Sequence, residues 1–507
     1  MTDQPMATEQ APETPTPKSS LASVGKHTLI YAFGTVLNRI VAFVMLPLYT
    51  HQLTAADYGV LQLLGMTTDV ISIVAGSRIA EGIYYLFHKE EDAASGREVL
   101  STALICLSLS YAVCALIAGL LSVQISSLLF RTPDHALLVR VAATAFGFEG
   151  LLLVALNYLQ LQNRSQFYVI VSAVKLFIQL TVNIVCLLVL HWGPVSILLG
   201  TLTANVVIGI WVSTLMVREV GIHFKKSAAR ALLAFGLPLV GTQVATFAST
   251  YGDRFFLQAS GGPAVVGLYA LSYQFGFVLV YFGFGPFFNV WQPTRFAIAK
   301  QADRDETYAK GFIFCNLILI TSAVGIGLFV QDFLNVMTAP EYRAAGAIVP
   351  VILLAYLLQG WSDFQNLGIL VKERTHLITV ANWVCAGVSL IGYTVLIPRY
   401  LAWGAAFATL LAFLSRYLII FYYSQRLWPV HLRWGPVLGQ LGWAGALTAL
   451  GYVLPHPGII ASVAIRVGLF GLYLAGMWYL RILSDSDRQL IAGIIRQPRS
   501  AFTLLRG

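Results

Sequence analysis

Long apolar stretches separated by short polar turns recur along nearly the whole chain. Fourteen of them approach or exceed the roughly 20 residues that a helix needs to cross a bilayer. Hydropathy places them at 27-50, 59-87, 99-123, 136-160, 167-190, 195-217, 231-253, 264-290, 311-331, 346-370, 377-397, 401-423, 436-454 and 460-482. Within several spans the polar positions fall at steps of three and four, which stacks them on one helix face. Span 5 carries Tyr168, Ser172, Lys175, Gln179 and Asn183, and span 10 carries Tyr356, Gln359, Asp363 and Asn366. Span 1 aligns Thr28, Tyr31, Thr35 and Asn38 beside Arg39, and span 7 aligns Thr242, Thr246, Thr250 and Asp253. Such stripes either line a cavity or bond neighbouring helices, and both uses are open at this stage.

The first twelve spans read as one six-span unit written twice. Tyr58-Gly59-Val60-Leu61 corresponds to Val266-Gly267-Leu268-Tyr269, with the glycines 208 apart. Arg164-Ser165-Gln166 corresponds to Arg374-Thr375-His376 at 210, and Trp192-Gly193 to Trp403-Gly404 at 211. An even number of spans preserves orientation, so the copies are expected to be parallel, as in transporters that hold their site between two repeats. The expected protein is all-α and integral to the membrane: a six-helix lobe at 26-217, an inter-lobe loop at 218-230, a second lobe at 231-424, and a helix pair at 425-483. Residues 1-25 read as a disordered tail, rich in proline and without a cleavable signal. Residues 484-507 read as an amphipathic tail, either lying on the inner leaflet or forming a short solvated helix.

Composition agrees: 57% of residues are hydrophobic and 11% charged, against about 25% charged in ordinary soluble proteins. The net charge of +9 is mostly a topology signal. The tails and even-numbered turns hold 22 Lys and Arg, while the opposite turns hold four: Arg131, Arg254, Arg343 and Arg399. Basic residues stay on the cytoplasmic side, so both termini are expected to face the cytoplasm, with no nucleic-acid partner. Five cysteines lie inside spans without ligand spacing, so neither a disulfide framework nor a metal site is expected. No phosphate-loop, His-Glu-x-x-His or Gly-x-Ser-x-Gly motif is present, and no outer turn is long enough for a catalytic loop. The chain therefore reads as a non-enzyme without catalytic residues or cofactors.

Charges within the spans are the candidate chemistry, because an ionised group at mid-bilayer costs about 2.5–3.5 kcal/mol even on a lenient scale. Arg140 and Arg466 sit near span ends, where long side chains snorkel to headgroups. Arg39 is about 18 Å from either end of its span, beyond that reach. Arg78, Lys175 and Arg416 lie at intermediate depth, where snorkelling and cavity lining are both open. In span 2, Arg78 and Glu81 share a face, whereas Asp69 is half a turn out of phase unless Gly76 bends the helix. Pro47, Pro238 and Pro286 mark further bends.

Three stretches carry a family likeness. Pro47-Leu48-Tyr49 leads to Leu53-Thr54 and Asp57-Tyr58-Gly59. Phe235-Gly236-Leu237-Pro238 leads to Gly252-Asp253-Arg254-Phe255 and then Val266-Gly267-Leu268-Tyr269. Trp403-Gly404-Ala405-Ala406 opens span 12. With these motifs the chain resembles the Wzx-like polysaccharide transporters of the multidrug/oligosaccharidyl-lipid/polysaccharide exporter superfamily. The resemblance implies an alternating-access flippase that carries an undecaprenyl-diphosphate-linked oligosaccharide outward for polysaccharide biosynthesis, with membrane lipids and other assembly proteins as partners. On that reading Arg39, Arg78, Lys175 and Arg416 are candidates for the diphosphate, since cations bind it strongly in a low dielectric. Gln179, Asn183, Tyr273 and Gln359 are candidates for the sugar, and Asp69, Glu149, Asp253 and Asp363 for ion coupling. Two alternatives stand beside it: a cation-coupled multidrug exporter, which needs an acidic, apolar cavity, and a membrane oligosaccharide polymerase or ligase.

Overall fold

The computed structural model describes residues 41, 43–77, 79–89, 93–454 and 458–479. Arg39 and Arg78 lie outside the described residues, as do both tails and most of span 1. The described residues form helices throughout, with no strand among them. In chain order they are α1 (Leu46–Gln52), α2 (Ala55–Ala75), α3 (Ile79–Lys89), α4 (Ala93–Leu120), α5 (Ser122–Phe130), α6 (Ala136–Leu161) and α7 (Ser165–Ile184). Then come α8 (Val195–Val220), α9 (Lys226–Tyr251), α10 (Asp253–Val278), α11 (Gly285–Ile298), α12 (Arg304–Met337), α13 (Val349–Gln365) and α14 (Leu367–Val371). The last three are α15 (His376–Leu427), α16 (Trp434–Val453) and α17 (Ile459–Tyr479).

Nine helices among the described residues are long and apolar enough to cross a membrane, ten if the bent pair around Ile348 counts as one span. Two run to double length, 246–298 and 376–427. Each is broken at one residue, Gly262 (φ 76°) and Leu401 (φ 48°), so a turn between two expected spans has shrunk to a single non-helical residue. Span 2 does bend at Gly76, whose left-handed φ of 100° separates α2 from α3. Pro47 opens α1, where a missing N–H costs nothing, and Pro286 follows a π-helical turn at Leu279–Phe284.

The repeat has a backbone counterpart. Among the described residues, five other than glycine have positive φ: Arg131, Asn163, His191, Glu373 and Leu401. Four form two pairs 210 apart, Asn163 with Glu373 and His191 with Leu401. Asn163 and Glu373 stand immediately before the repeated Arg164 and Arg374. The left-handed region is disfavoured for such residues, so its recurrence at one offset marks equivalent turns.

One apolar core joins Ala75 to Leu232, drawing on α3, α4, α6, α7, α8 and α9. A larger one unites the chain from Leu257 to Met477 with Leu46, Ala55, Tyr58, Leu63, Leu64, Phe130 and Leu138. The start of α2 thus packs on the second half of the chain. Arg466 is buried rather than snorkelled: with 3% of its surface exposed it donates to Asp332 Oδ2 and to the Gly451 carbonyl, while Ser462 donates to Asp332 Oδ1 at 2.6 Å. This pair fastens α16 and α17 to α12. Arg466→Ala leaves a buried carboxylate unpaired, and the expected loss is about 3–5 kcal/mol. The check is the thermal unfolding midpoint in detergent, where joint replacement by Asp332→Leu and Arg466→Met is expected to recover most of it.

Candidate functional site

A cavity of about 780 Å³ lies where the two halves face each other. Its walls come from the residues before and in α1, from α2, α6, α7 and α8 of the first half, and from Tyr251, Gln274, Phe277, Tyr281 and Phe282 of the second. The size falls within the range of about 300–1,000 Å³ usual for ligand pockets. The described wall carries two carboxylates, Asp69 and Glu149, and no lysine or arginine. Amides and hydroxyls fill out its polar part: Gln62, Thr68, Gln179, Thr201, Asn205 and Gln274. Gln179 Nε2 donates to Thr201 Oγ1 at 3.1 Å, and Thr201 in turn donates to the Ile197 carbonyl at 3.0 Å. Asn205, 3% exposed, donates to the Ala145 carbonyl at 3.0 Å, and its Oδ1 has no partner.

Next to the wall residue Tyr58, Leu53–Thr54 approaches the second half. Thr54 and Asp57 form a reciprocal cap at the start of α2, each side chain accepting from the other's backbone N–H at 3.1 Å. This directs Tyr58 and Gly59 at α10. A Cβ on Gly59 would lie 1.8 Å from the Pro263 carbonyl oxygen, and one on Gly267 2.1 Å from that of Ala55, so only glycine permits this crossing. Around it the Ala55 N–H donates to Glu341 Oε1 at 3.0 Å, Tyr342 OH to the Leu53 carbonyl at 2.9 Å, and Arg131 to the Ala259 carbonyl at 3.1 Å. Phe43 stacks on Phe333 with centroids 4.8 Å apart. The repeated glycines of the two halves therefore meet each other.

The twelve candidate residues separate into groups. Asp69, Glu149 and Gln179 share the cavity wall. Lys175, one turn from Gln179 on α7 and half-buried, stands outside the wall and attracts Glu149 electrostatically. Asn183 is buried and fully engaged: it accepts from Tyr49 OH at 2.9 Å and donates to the Gln179 and Ser196 carbonyls at 3.1 Å. Asp363 accepts from Arg416 at 2.8 Å, and Arg416 also donates to Asn382 at 2.8 Å, away from the cavity; Gln359 lies one turn earlier on α13. Arg39 and Arg78 are outside the described residues. A cation-lined hollow is thus not what the described wall presents: Arg416 pairs with Asp363 away from it, and Lys175 stands outside it.

Asp253 and Tyr273 belong to a third group, which is wholly buried. Arg254, placed by sequence in an outer turn, is 1% exposed; its Nη1 donates to Asp253 Oδ1 at 2.7 Å and to the Thr250 carbonyl at 2.8 Å. Tyr269 OH donates to Asp253 Oδ2 at 2.6 Å. The guanidinium lies 4.0 Å from the Tyr273 ring centroid, a close cation–π contact, and Tyr273 OH donates to Thr409 at 3.2 Å.

Sequence reasoning passed over Gln62, Thr201, Asn205 and Gln274. A signal existed for each of them. Gln62 and Asp69 are seven residues apart, two turns on one face, as are Gln274 and Tyr281, and Thr201 and Asn205 are four apart.

No curated protein matches the chain significantly. Among solved structures it is similar to "Lipid II flippase MurJ, inward closed conformation" at 12% identity, covering 90% of this chain and 99% of that one, with a TM-score of 0.70. It is similar to an inward-facing multidrug resistance MATE family transporter of the MOP superfamily at 12% identity, covering 76% and 94%, with a TM-score of 0.62. A MOP superfamily transporter from Pyrococcus furiosus matches at 10% identity over 81% and 95%, with a TM-score of 0.51. At these identities the likeness concerns the fold, which is that of a multi-pass membrane transporter. The family model "Polysaccharide biosynthesis protein" matches residues 24–299. That match takes in more than half of the chain, and the protein belongs to the polysaccharide biosynthesis protein family.

Proposed function

We propose that this protein is an alternating-access flippase, moving an undecaprenyl-diphosphate-linked oligosaccharide from the cytoplasmic to the outer face of a bacterial inner membrane. The observation that carries the reading is the cavity between the two halves, lined in part by amides, hydroxyls and aromatic rings, with the Gly59–Gly267 crossing beside its wall residue Tyr58. Sugar hydroxyls pair with such amides and stack on such rings. The crossing lies among the arginine-poor turns, so it is read as the outer gate and the two repeats as lobes that rock about the site. Gln179 is the proposed sugar contact in the wall. Arg39 and Arg78, with Lys175, are the proposed diphosphate group.

The test is translocation of a polyprenyl-diphosphate oligosaccharide by protein reconstituted in liposomes. Arg39→Ala with Lys175→Ala is expected to reduce transport about tenfold or more at normal protein levels; unchanged transport removes these residues from the site. Imposed proton and sodium gradients, varied separately, test coupling through Asp69 or Glu149, and insensitivity to both excludes it. A second reading has one observation in its favour. The two carboxylates and absent cations of the described wall suit a cation-coupled multidrug exporter. Ethidium accumulation by the same liposomes, without glycolipid transport, would select that reading instead.

A further inference from the structure

We infer that Asp69 and Glu149 set the charge of the glycan this cavity accepts: an uncharged, hydroxyl-bearing glycan enters, and a sugar that carries a carboxylate is turned away. The inference rests on the flippase reading of the same cavity. Asp69 comes from α2 and Glu149 from α6, so two elements of the wall each present a carboxylate to the hollow. Neither has a hydrogen-bond or ion-pair partner among the described residues. Lys175 attracts Glu149 across a gap wider than a salt bridge and stands outside the wall, and no described wall residue supplies Asp69 with a counter-charge.

A second observation points the same way. Asn205 lines the cavity with 97% of its surface buried, its nitrogen is occupied by the Ala145 carbonyl, and its oxygen is unpartnered. Gln179, also in the wall, donates to Thr201. The described wall thus sets two carboxylates beside the amides of Gln62, Gln179, Asn205 and Gln274, and a glycan group that donates to the carboxylates matches it. A sugar hydroxyl donates one hydrogen bond per group. A uronate carboxylate brings only acceptors, and beside Asp69 and Glu149 it costs either like-charge repulsion or the uptake of a proton. Discrimination by unpaired polar groups and like charge is the strong form of selectivity, since the disfavoured ligand loses bonds and gains repulsion together.

The experiment uses the full chain in lipid nanodiscs and three probes: an undecaprenyl-diphosphate disaccharide ending in glucose, the same lipid ending in glucuronate, and tetraphenylphosphonium. Wild-type protein is expected to bind the glucose probe at least about tenfold more tightly than the glucuronate probe. Asp69→Asn with Glu149→Gln is expected to bring the two affinities together, chiefly by strengthening glucuronate binding. Equal affinities in the wild type overturn the inference whether or not the variant folds, as does an unchanged ratio in the double variant, and both results leave the flippase reading intact. If neither lipid-linked probe binds while tetraphenylphosphonium binds and is lost in the double variant, the flippase reading falls and the glycan selection falls with it.

Discussion

Gly59→Val is expected to abolish transport, with a loss of about tenfold or more, without preventing membrane insertion. The Gly59 Cβ position lies 1.8 Å from the Pro263 carbonyl oxygen and 2.7 Å from its carbon. These are backbone atoms, which cannot swing aside as a side chain would. The helices α2 and α10 must separate, and the Ala55–Glu341 and Tyr342–Leu53 hydrogen bonds that surround the crossing open with them. Each such bond contributes about 0.5–1.5 kcal/mol, and a shift of about 1.4 kcal/mol changes the population of the sealed state tenfold. A flippase that cannot seal one end cannot alternate. The diagnostic measurement accompanies the transport assay: a cysteine introduced at Gln62 in the cavity wall should label from the outer side in Gly59→Val and remain shielded in the parent. Normal transport with unchanged labelling would exclude the crossing as a gate. Gly267→Val is expected to act alike, because its Cβ position meets the Ala55 carbonyl oxygen at 2.1 Å.

Asp253→Ala is expected to cost about 3–5 kcal/mol of stability, because it strands Arg254 as an uncompensated buried charge. Arg254 is 1% exposed and its Nε already lacks a partner, so it has no second carboxylate among the described residues to turn to. Asp253→Asn keeps an acceptor for Arg254 and Tyr269 and should lose less. The measurement is the yield of monodisperse protein and its unfolding midpoint in detergent, taken with transport normalised to folded protein. If Asp253→Ala retains the parental midpoint, the pair is not structural. If Asp253→Asn folds normally but fails in transport, Asp253 regains standing as a coupling residue.

Much of the fold was legible because lipid imposes a simple rule: every backbone polar group must be satisfied within the segment, so apolar length reads directly as helix. The same simplicity hid the ends of elements. The turn expected between spans 7 and 8 shrank to Gly262, because hydropathy does not register how few residues a reversal needs. The candidate site was legible only in part. The polar stripe on span 5 divided between two uses along one helix: Gln179 reached the cavity, and Asn183, one turn further on, became a bond between helices. Position on a face cannot separate these uses, since the difference lies in which neighbour stands opposite. Arg466 was misjudged for the same reason. Its depth allowed snorkelling, but Asp332, more than a hundred residues earlier in the chain, captured it.

By itself the sequence determined the membrane class, the helical span pattern, the asymmetry of basic turns and the twofold repeat. These follow from local composition and from spacing along one chain, where solvent transfer energy and helix period act residue by residue. Only the tertiary structure decided that the two repeated glycines touch, that Arg254 is held by Asp253 and three tyrosine rings, and that the described cavity wall is acidic. Charge count along a chain does not set the charge of a cavity, because pairing across distant helices cancels some ions and leaves others facing the hollow.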